Sequence, residues 1–222
     1  ALACGAEATA TALAPIPTSG PPTSLTPGST VAAPESSETP AASEYAMIEE
    51  GPVEFDANGT TLLGYLSRPA SLGPHPAVVV VHENRGLLPH FPDVTRRLAR
   101  EGYAALAVDM LSRKGGTDSS PDSGAMRDAL RQIPVALLVQ DGNSAVSFLQ
   151  QQPFVIGSRV GAMGFCFGGS ITWLMAVNNP ELRAAVPFYG GAPRMEDVPN
   201  LQVPVLGIYA GEDSRINGGV PT

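Results

Sequence analysis

Residues 161–170, GAMGFCFGGS, set one thiol, Cys166, between glycines two positions away on either side, Gly164 and Gly168. The apolar run RVGAMGF leads in, and a helical pattern follows from about Gly168 to Asn178. Strand, sharp turn and helix in that order would hold Cys166 on a strained backbone at the apex, with no room for side chains at Gly164 and Gly168. The first amides of the following helix favour a thiolate and can bind a developing oxyanion. A thiol so placed can act as a nucleophile. On residue type alone, a buried structural cysteine in a glycine-rich turn is the alternative.

A nucleophilic thiol needs a base, and the three histidines, His75, His82 and His90, all precede Cys166. His82 sits just after the run AVVVV, where a packing or loop-fixing role is expected of it. His75 and His90, beside prolines, read as loop residues. Two carboxylates follow apolar runs: Glu83 in VVVVHEN and Asp213 in GEDSRI. Taken alone, Asp213 is as easily a turn residue as a catalytic one, with Glu212 its nearest rival, and Glu83 could be a solvated loop charge.

The elements that must position these groups follow from pattern. VEF and LLGYLS flank DANGT, and Asn58-Gly59 is a hairpin signal. AVVVV (77–81) reads as a strand buried on both faces. An amphipathic helix is expected over 91–101, with Phe91, Val94 and Leu98 on one side and Gly102 ending it. YAALAVD (103–109) is the next buried strand, and 112–125 a polar loop. A helix over 135–152 carries Leu138, Ala145, Val146 and Leu149 inward. Strands follow at RVGAMGF, AAVPFY (184–189) and VPVLGIYA (203–210). Strands alternating with helices predict an α/β fold, a three-layer α/β/α arrangement around a mostly parallel sheet.

Four blocks in order, VVVVHENRGLLPHFPDVTRRLAREGYAALAVDML, GAMGFCFGG, AAVPFYGG and VPVLGIYAGEDSRIN, resemble the dienelactone hydrolase family of α/β-hydrolases, from about Pro52 onward. The resemblance implies a carboxymethylenebutenolidase-like hydrolase of carboxylic esters or lactones, with no cofactor and no metal. It implies Cys166 as nucleophile and Asp213 as the acid of a Cys-Asp-His triad. Glu83 matches a second carboxylate that contacts the resting thiol, raising its pKa until substrate displaces it. Asn84 and Phe167 stand where backbone amides form the oxyanion hole. Arginines grip the substrate carboxylate in this family; Arg85 and Arg113 follow strand ends, but neither falls in a matching motif. The family order is nucleophile, acid, histidine, and Thr222 comes soon after Asp213. The expectation is therefore a chain that stops short of the last helix, the last strand and the histidine loop, inactive as given although its parent is an enzyme. A binding module on the same fold, or a redox sensor built on a lone reactive thiol, are the competing readings.

Residues 5–44 are almost entirely Ala, Pro, Thr, Ser, Gly and Glu, without Lys, Arg or aromatics. Such a stretch cannot bury enough apolar surface to offset its ordering entropy, so a disordered tether is expected over 1–44 ahead of one domain at 45–222. The opening ALACG resembles the end of a bacterial lipoprotein signal, with Cys4 as the lipidated residue and Ala1 where Leu is usual. An extracytoplasmic, membrane-anchored address follows, the membrane being reached only through that anchor. As a random coil the tether would span about 35 Å. Net charge is −8, with no basic patch, which argues against nucleic acid. No apolar run approaches the roughly 20 residues a membrane helix needs.

Overall fold

The computed structural model describes residues 47–219. The tether and Cys4 lie outside the described residues. Strands β1 (Ile48–Ala57) and β2 (Thr60–Pro69) form the expected hairpin. Its two turn residues, Asn58 and Gly59, both have positive φ (54° and 83°), the backbone a two-residue turn needs to match strand twist. Next come β3 (His75–Val81), α1 (His90–Arg100) and β4 (Ala104–Val108), then α2 (Ser123–Arg131) and α3 (Val135–Gln150). The chain continues through β5 (Val155–Phe165), α4 (Phe167–Asn178), β6 (Ala185–Phe188) and a single helical turn, α5 (Ser214–Asn217).

The six strands lie in the order β1-β2-β4-β3-β5-β6. The block β4-β3-β5-β6 is parallel, and the hairpin is added antiparallel at one edge. Alternate residues of the central strands serve opposite faces. Val79, Val81, Leu106 and Val108 join the larger apolar cluster with Leu138, Val146 and Leu149 of α3 and Met175 of α4. Val80 and Ala107 face the other way, to Phe91 of α1, with Val94, Leu98, Met163 and Phe165 packed around them. This is the expected three-layer α/β/α sandwich, with α3 and α4 on one side and α1 on the other.

Two of the expected segments need correction. The segment 112–125 is not simply a loop: it holds two short 3-10 turns and the start of α2, whose N-cap Asp122 accepts from the amides of Gly124 and Ala125. Met126 and Leu130 of that helix, one turn apart, are buried in the core. Residues 203–210 do not form a full strand. They run parallel to β6 through isolated bridges at Val205 and Ile208. Pro204 has no N–H to give, and only Leu206 and Ile208 of this run donate to β6. Among the described residues nothing pairs with its outer edge, and Leu206 is 62% exposed.

Candidate active site

All parallel strands end at the same edge of the sheet, and in open α/β sheets the ligand crevice lies outside those carboxyl ends. Cys166 follows β5 there. Its φ of 54° and ψ of −112° put a non-glycine residue in a sparsely populated conformation, the elbow expected from GFCFG. The bend is clamped on both sides: the Cys166 amide donates to the Phe188 carbonyl, and its carbonyl accepts from the Ser170 amide. The two glycines are dictated by close approach. A Cβ at Gly164 would lie 2.2 Å from the Gly168 carbonyl oxygen, and one at Gly168 would lie 2.3 Å from that of Val81. The start of α4 is thus pressed against the end of β3.

Glu83, just past β3, and Tyr189, just past β6, flank this elbow, since β5 lies between those two strands. The Tyr189 hydroxyl donates to Glu83 Oε1 at 3.2 Å, a bond that spans the end of β5. Burial pushes the Tyr189 phenol above its ordinary value; the charge of Glu83, its acceptance of the hydrogen bond and the nearby Cys166 push it further. Tyr189 therefore stays a neutral donor. It also carries a positive φ, 40°. Arg85 approaches the other Glu83 oxygen at 3.4 Å. A hydrogen bond from the Cys166 thiol to Glu83 is not among those described; the Glu83 carboxylate accepts from Tyr189 and Arg85.

Asn84 and Phe167 meet as walls of one cavity of about 410 Å³, with Leu130, Ile133 and Leu138 as apolar lining and Arg127 and Arg131 of α2 beside them. Neither the Asn84 amide nor the Phe167 amide has a protein acceptor among the described hydrogen bonds. A larger cavity, about 860 Å³, lies along α3 between Asp56 and Arg194 and includes none of the predicted site residues. The smaller one adjoins the elbow, so chemistry favours it over size.

Asp213 lies beyond the 203–208 run, at the same sheet edge. Its Oδ1 accepts from the Ile216 amide and so caps α5, and Arg215 approaches Oδ2 at 3.9 Å. Two of the histidines, His75 and His82, are engaged in structure. His82 is wholly buried, with Nδ1 against the Glu83 carbonyl and Nε2 accepting from the Met110 amide, which bears out a loop-fixing role. Neither of the other two is the loop residue expected: His75 opens β3 at the opposite edge of the sheet, and His90, exposed, opens α1 and packs on Phe91 and on Phe165 beside the elbow. Arg113 makes a two-pronged pair with the buried Asp141 (2.9 and 2.7 Å) and bonds Thr60, so it is structural. Tyr189 is the site residue sequence reasoning missed; the PFYG block held it, but its partner Glu83 is 106 residues away.

The profile of the Dienelactone hydrolase family matches residues 62–220. The chain belongs to that family. A Methylorubrum extorquens protein named as a carboxymethylenebutenolidase is 34% identical over 206 residues, 87% of this chain and 71% of its own length. A solved structure titled as a dienelactone hydrolase, from Klebsiella pneumoniae, superposes with a TM-score of 0.70 at 33% identity, covering 77% of this chain and 75% of that one. A dienelactone hydrolase-like promiscuous phosphotriesterase from metagenomic libraries gives a TM-score of 0.66 at 30% identity, over 78% and 74% of the two chains. With the α/β-hydrolase fold and these relatives, the protein is a hydrolase of the dienelactone hydrolase kind.

Proposed function

We propose that the protein hydrolyses carboxylic esters or lactones through an acyl-enzyme on Cys166. The thiolate adds to the substrate carbonyl, and the carbonyl oxygen takes the negative charge between the Asn84 and Phe167 amides. Collapse expels the alkoxide, which leaves as the alcohol after taking a proton. Water then cleaves the thioester, freeing the acid and restoring the thiol. For a lactone, alcohol and acid are released as one opened chain. The observation that carries this reading is the elbow itself: a thiol on strained backbone at the start of α4, beside two amides that have no protein acceptor among the described residues.

Asp213 orients the histidine that moves these protons. Family order sets that histidine after the acid, an order that His75, His82 and His90, all ahead of Cys166, do not fit. Glu83 sets a negative charge beside the elbow, so Glu83→Gln should speed alkylation of Cys166 by iodoacetamide at neutral pH; unchanged or slower alkylation would leave Glu83 without a role toward the thiol. The acyl group would lie along Leu130, Ile133 and Leu138. Cys4 would carry a lipid that anchors the domain outside the cytoplasm, tested by fatty-acid labelling of the precursor against Cys4→Ala.

Aryl acetates test the reaction. Mass spectrometry should find one acetyl group on Cys166, and a protein that carries the triad histidine should turn over. Cys166→Ala should lose the adduct and at least about 100-fold of the rate. Parental turnover in Cys166→Ala would refute the nucleophile assignment.

A further inference from the structure

His82 is the wholly buried titratable side chain nearest the elbow, and the triad chemistry does not use it. Its ring stands between Phe91 and Phe167, with centroids 6.0 and 6.4 Å away. The Met110 amide donates to Nε2 at 2.9 Å, so Nε2 carries no proton. The neutral ring then has its proton on Nδ1, which donates to the Glu83 carbonyl oxygen at 2.5 Å. Asp109 Oδ1, 3.6 Å from Nε2, is too far to bond it. That carboxylate instead accepts from Leu111 and Thr117 and so fixes the turn that presents the Met110 amide.

The carbonyl that His82 holds belongs to the peptide unit whose N–H is that of Asn84. A trans peptide is planar, so its C=O and N–H point in opposite directions. Fixing the oxygen on the buried ring turns the Asn84 N–H away from the core, toward the cavity it shares with Phe167. The same segment limits the approach of α4, since a Cβ at Gly168 would lie 2.5 Å from the His82 carbonyl oxygen. One residue thus meets both donors: its ring orients the Asn84 amide, and its backbone seats the helix that carries the Phe167 amide.

We propose that His82 is a positioning residue for the oxyanion hole, with the turn after β4 setting its tautomer through Met110 and the ring setting the plane of the Glu83–Asn84 peptide. This rests on the reading that the Asn84 and Phe167 amides receive the oxyanion. It predicts a defect confined to reactions that develop an oxyanion.

Two reactions of the same thiol separate the roles. Acylation of Cys166 by p-nitrophenyl acetate passes through an oxyanion; alkylation by iodoacetamide displaces iodide and does not. Losing an oxyanion donor costs about 10²–10³ in rate, and a misaimed donor should cost roughly 10- to 100-fold of acylation in His82→Leu. Alkylation should stay within about 2-fold of the parent. In His82→Asn the side-chain amide nitrogen replaces Nδ1 as donor, and acylation should recover to within about 5-fold. His82→Gln, whose amide reaches toward Nε2, should recover less. If His82→Leu does not fold, the Asn and Gln variants carry the comparison, and equal acylation by both would overturn the proposal. Parental acylation in His82→Leu would also overturn it, as would acylation and alkylation falling together. An unmutated protein alkylated at Cys166 but never acylated there would sink this proposal along with the functional reading, and differs by arising without any substitution.

Discussion

The loops that carry Cys166 and Asp213 leave the same edge of one sheet, yet they are built differently. Around Cys166, backbone meets backbone. Gly164 approaches Gly168, Gly168 approaches Val81 and His82, and Gly169 approaches Phe188, each close enough that a Cβ would fall within 2.6 Å of a main-chain atom. Around Asp213 there is little such contact. The run before it is tied to β6 by isolated bridges, Leu206 and Ile208 are exposed, and a Cβ at Gly211 would meet nothing within 4 Å. Cys166, the proposed nucleophile, is held by a packed core, because its backbone strain persists only if the surroundings over-determine it. Asp213, the proposed acid, is held by one cap and one short helical turn. Among the described residues, precision is concentrated where the proposed covalent bond would form.

The largest expected effect breaks the tight side. In Gly168→Ala the new methyl would lie 2.3 Å from the Val81 oxygen and 2.5 Å from that of His82. Both obstacles are main chain, so no rotamer can relieve them, and either α4 or the end of β3 must move. Overpacking of this kind costs about 3 kcal/mol, and the movement would also displace both proposed oxyanion amides. Urea melts should show the loss of stability, and p-nitrophenyl acetate the loss of Cys166 acylation. A variant with parental melt and acylation would mean the elbow is far more compliant than this packing implies.

That asymmetry also governed what the sequence could reveal. The elbow was legible because everything that makes it is local: an apolar run, glycines spaced around Cys166, and a helix pattern directly after. The hairpin at Asn58-Gly59 and the buried runs of β3 and β4 were legible for the same reason. Helix α2 was hidden, because two inward residues, Met126 and Leu130, are set in a polar stretch, and only the Asp122 cap marked its start. The 203–210 run was over-read, since its apolar composition suits a strand while Pro204 removes a ladder donor. The bond from Tyr189 to Glu83 could not be read at all. It depends on β5 lying between β3 and β6, an order that no local pattern contains.

A smaller effect separates two roles at Asp213. Asp213→Asn keeps an oxygen to accept from Ile216 but loses the charge; Asp213→Ala loses both. Loss of a cap costs about 1 kcal/mol, so the Ala variant should be less stable by that amount and the Asn variant nearly parental. If Asp213 orients the proposed histidine, ester turnover by the protein that carries it should fall by at least about 100-fold in both. An Asn variant with parental turnover would reduce Asp213 to a helix cap and reopen the case for Glu212.

The smallest effect sharpens the comparison by repeating the Gly→Ala change on the open side. Gly211 has no neighbour within 4 Å of an added Cβ and no positive φ, so alanine fits its backbone without strain. The extra methyl also narrows the unfolded chain's freedom, which at a compatible position stabilises by roughly 0.4–1 kcal/mol. In a loop this exposed, part of that gain is lost because the native loop retains freedom of its own. Gly211→Ala should therefore melt within about 0.5 kcal/mol of the parent, on the stable side, and acylate Cys166 at the parental rate. The pair of variants is decisive because the chemical change is the same and only the surroundings differ. Should Gly211→Ala cost as much as Gly168→Ala, the Asp213 loop would be as tightly packed as the elbow, and the proposed division of labour between the two loops would fail.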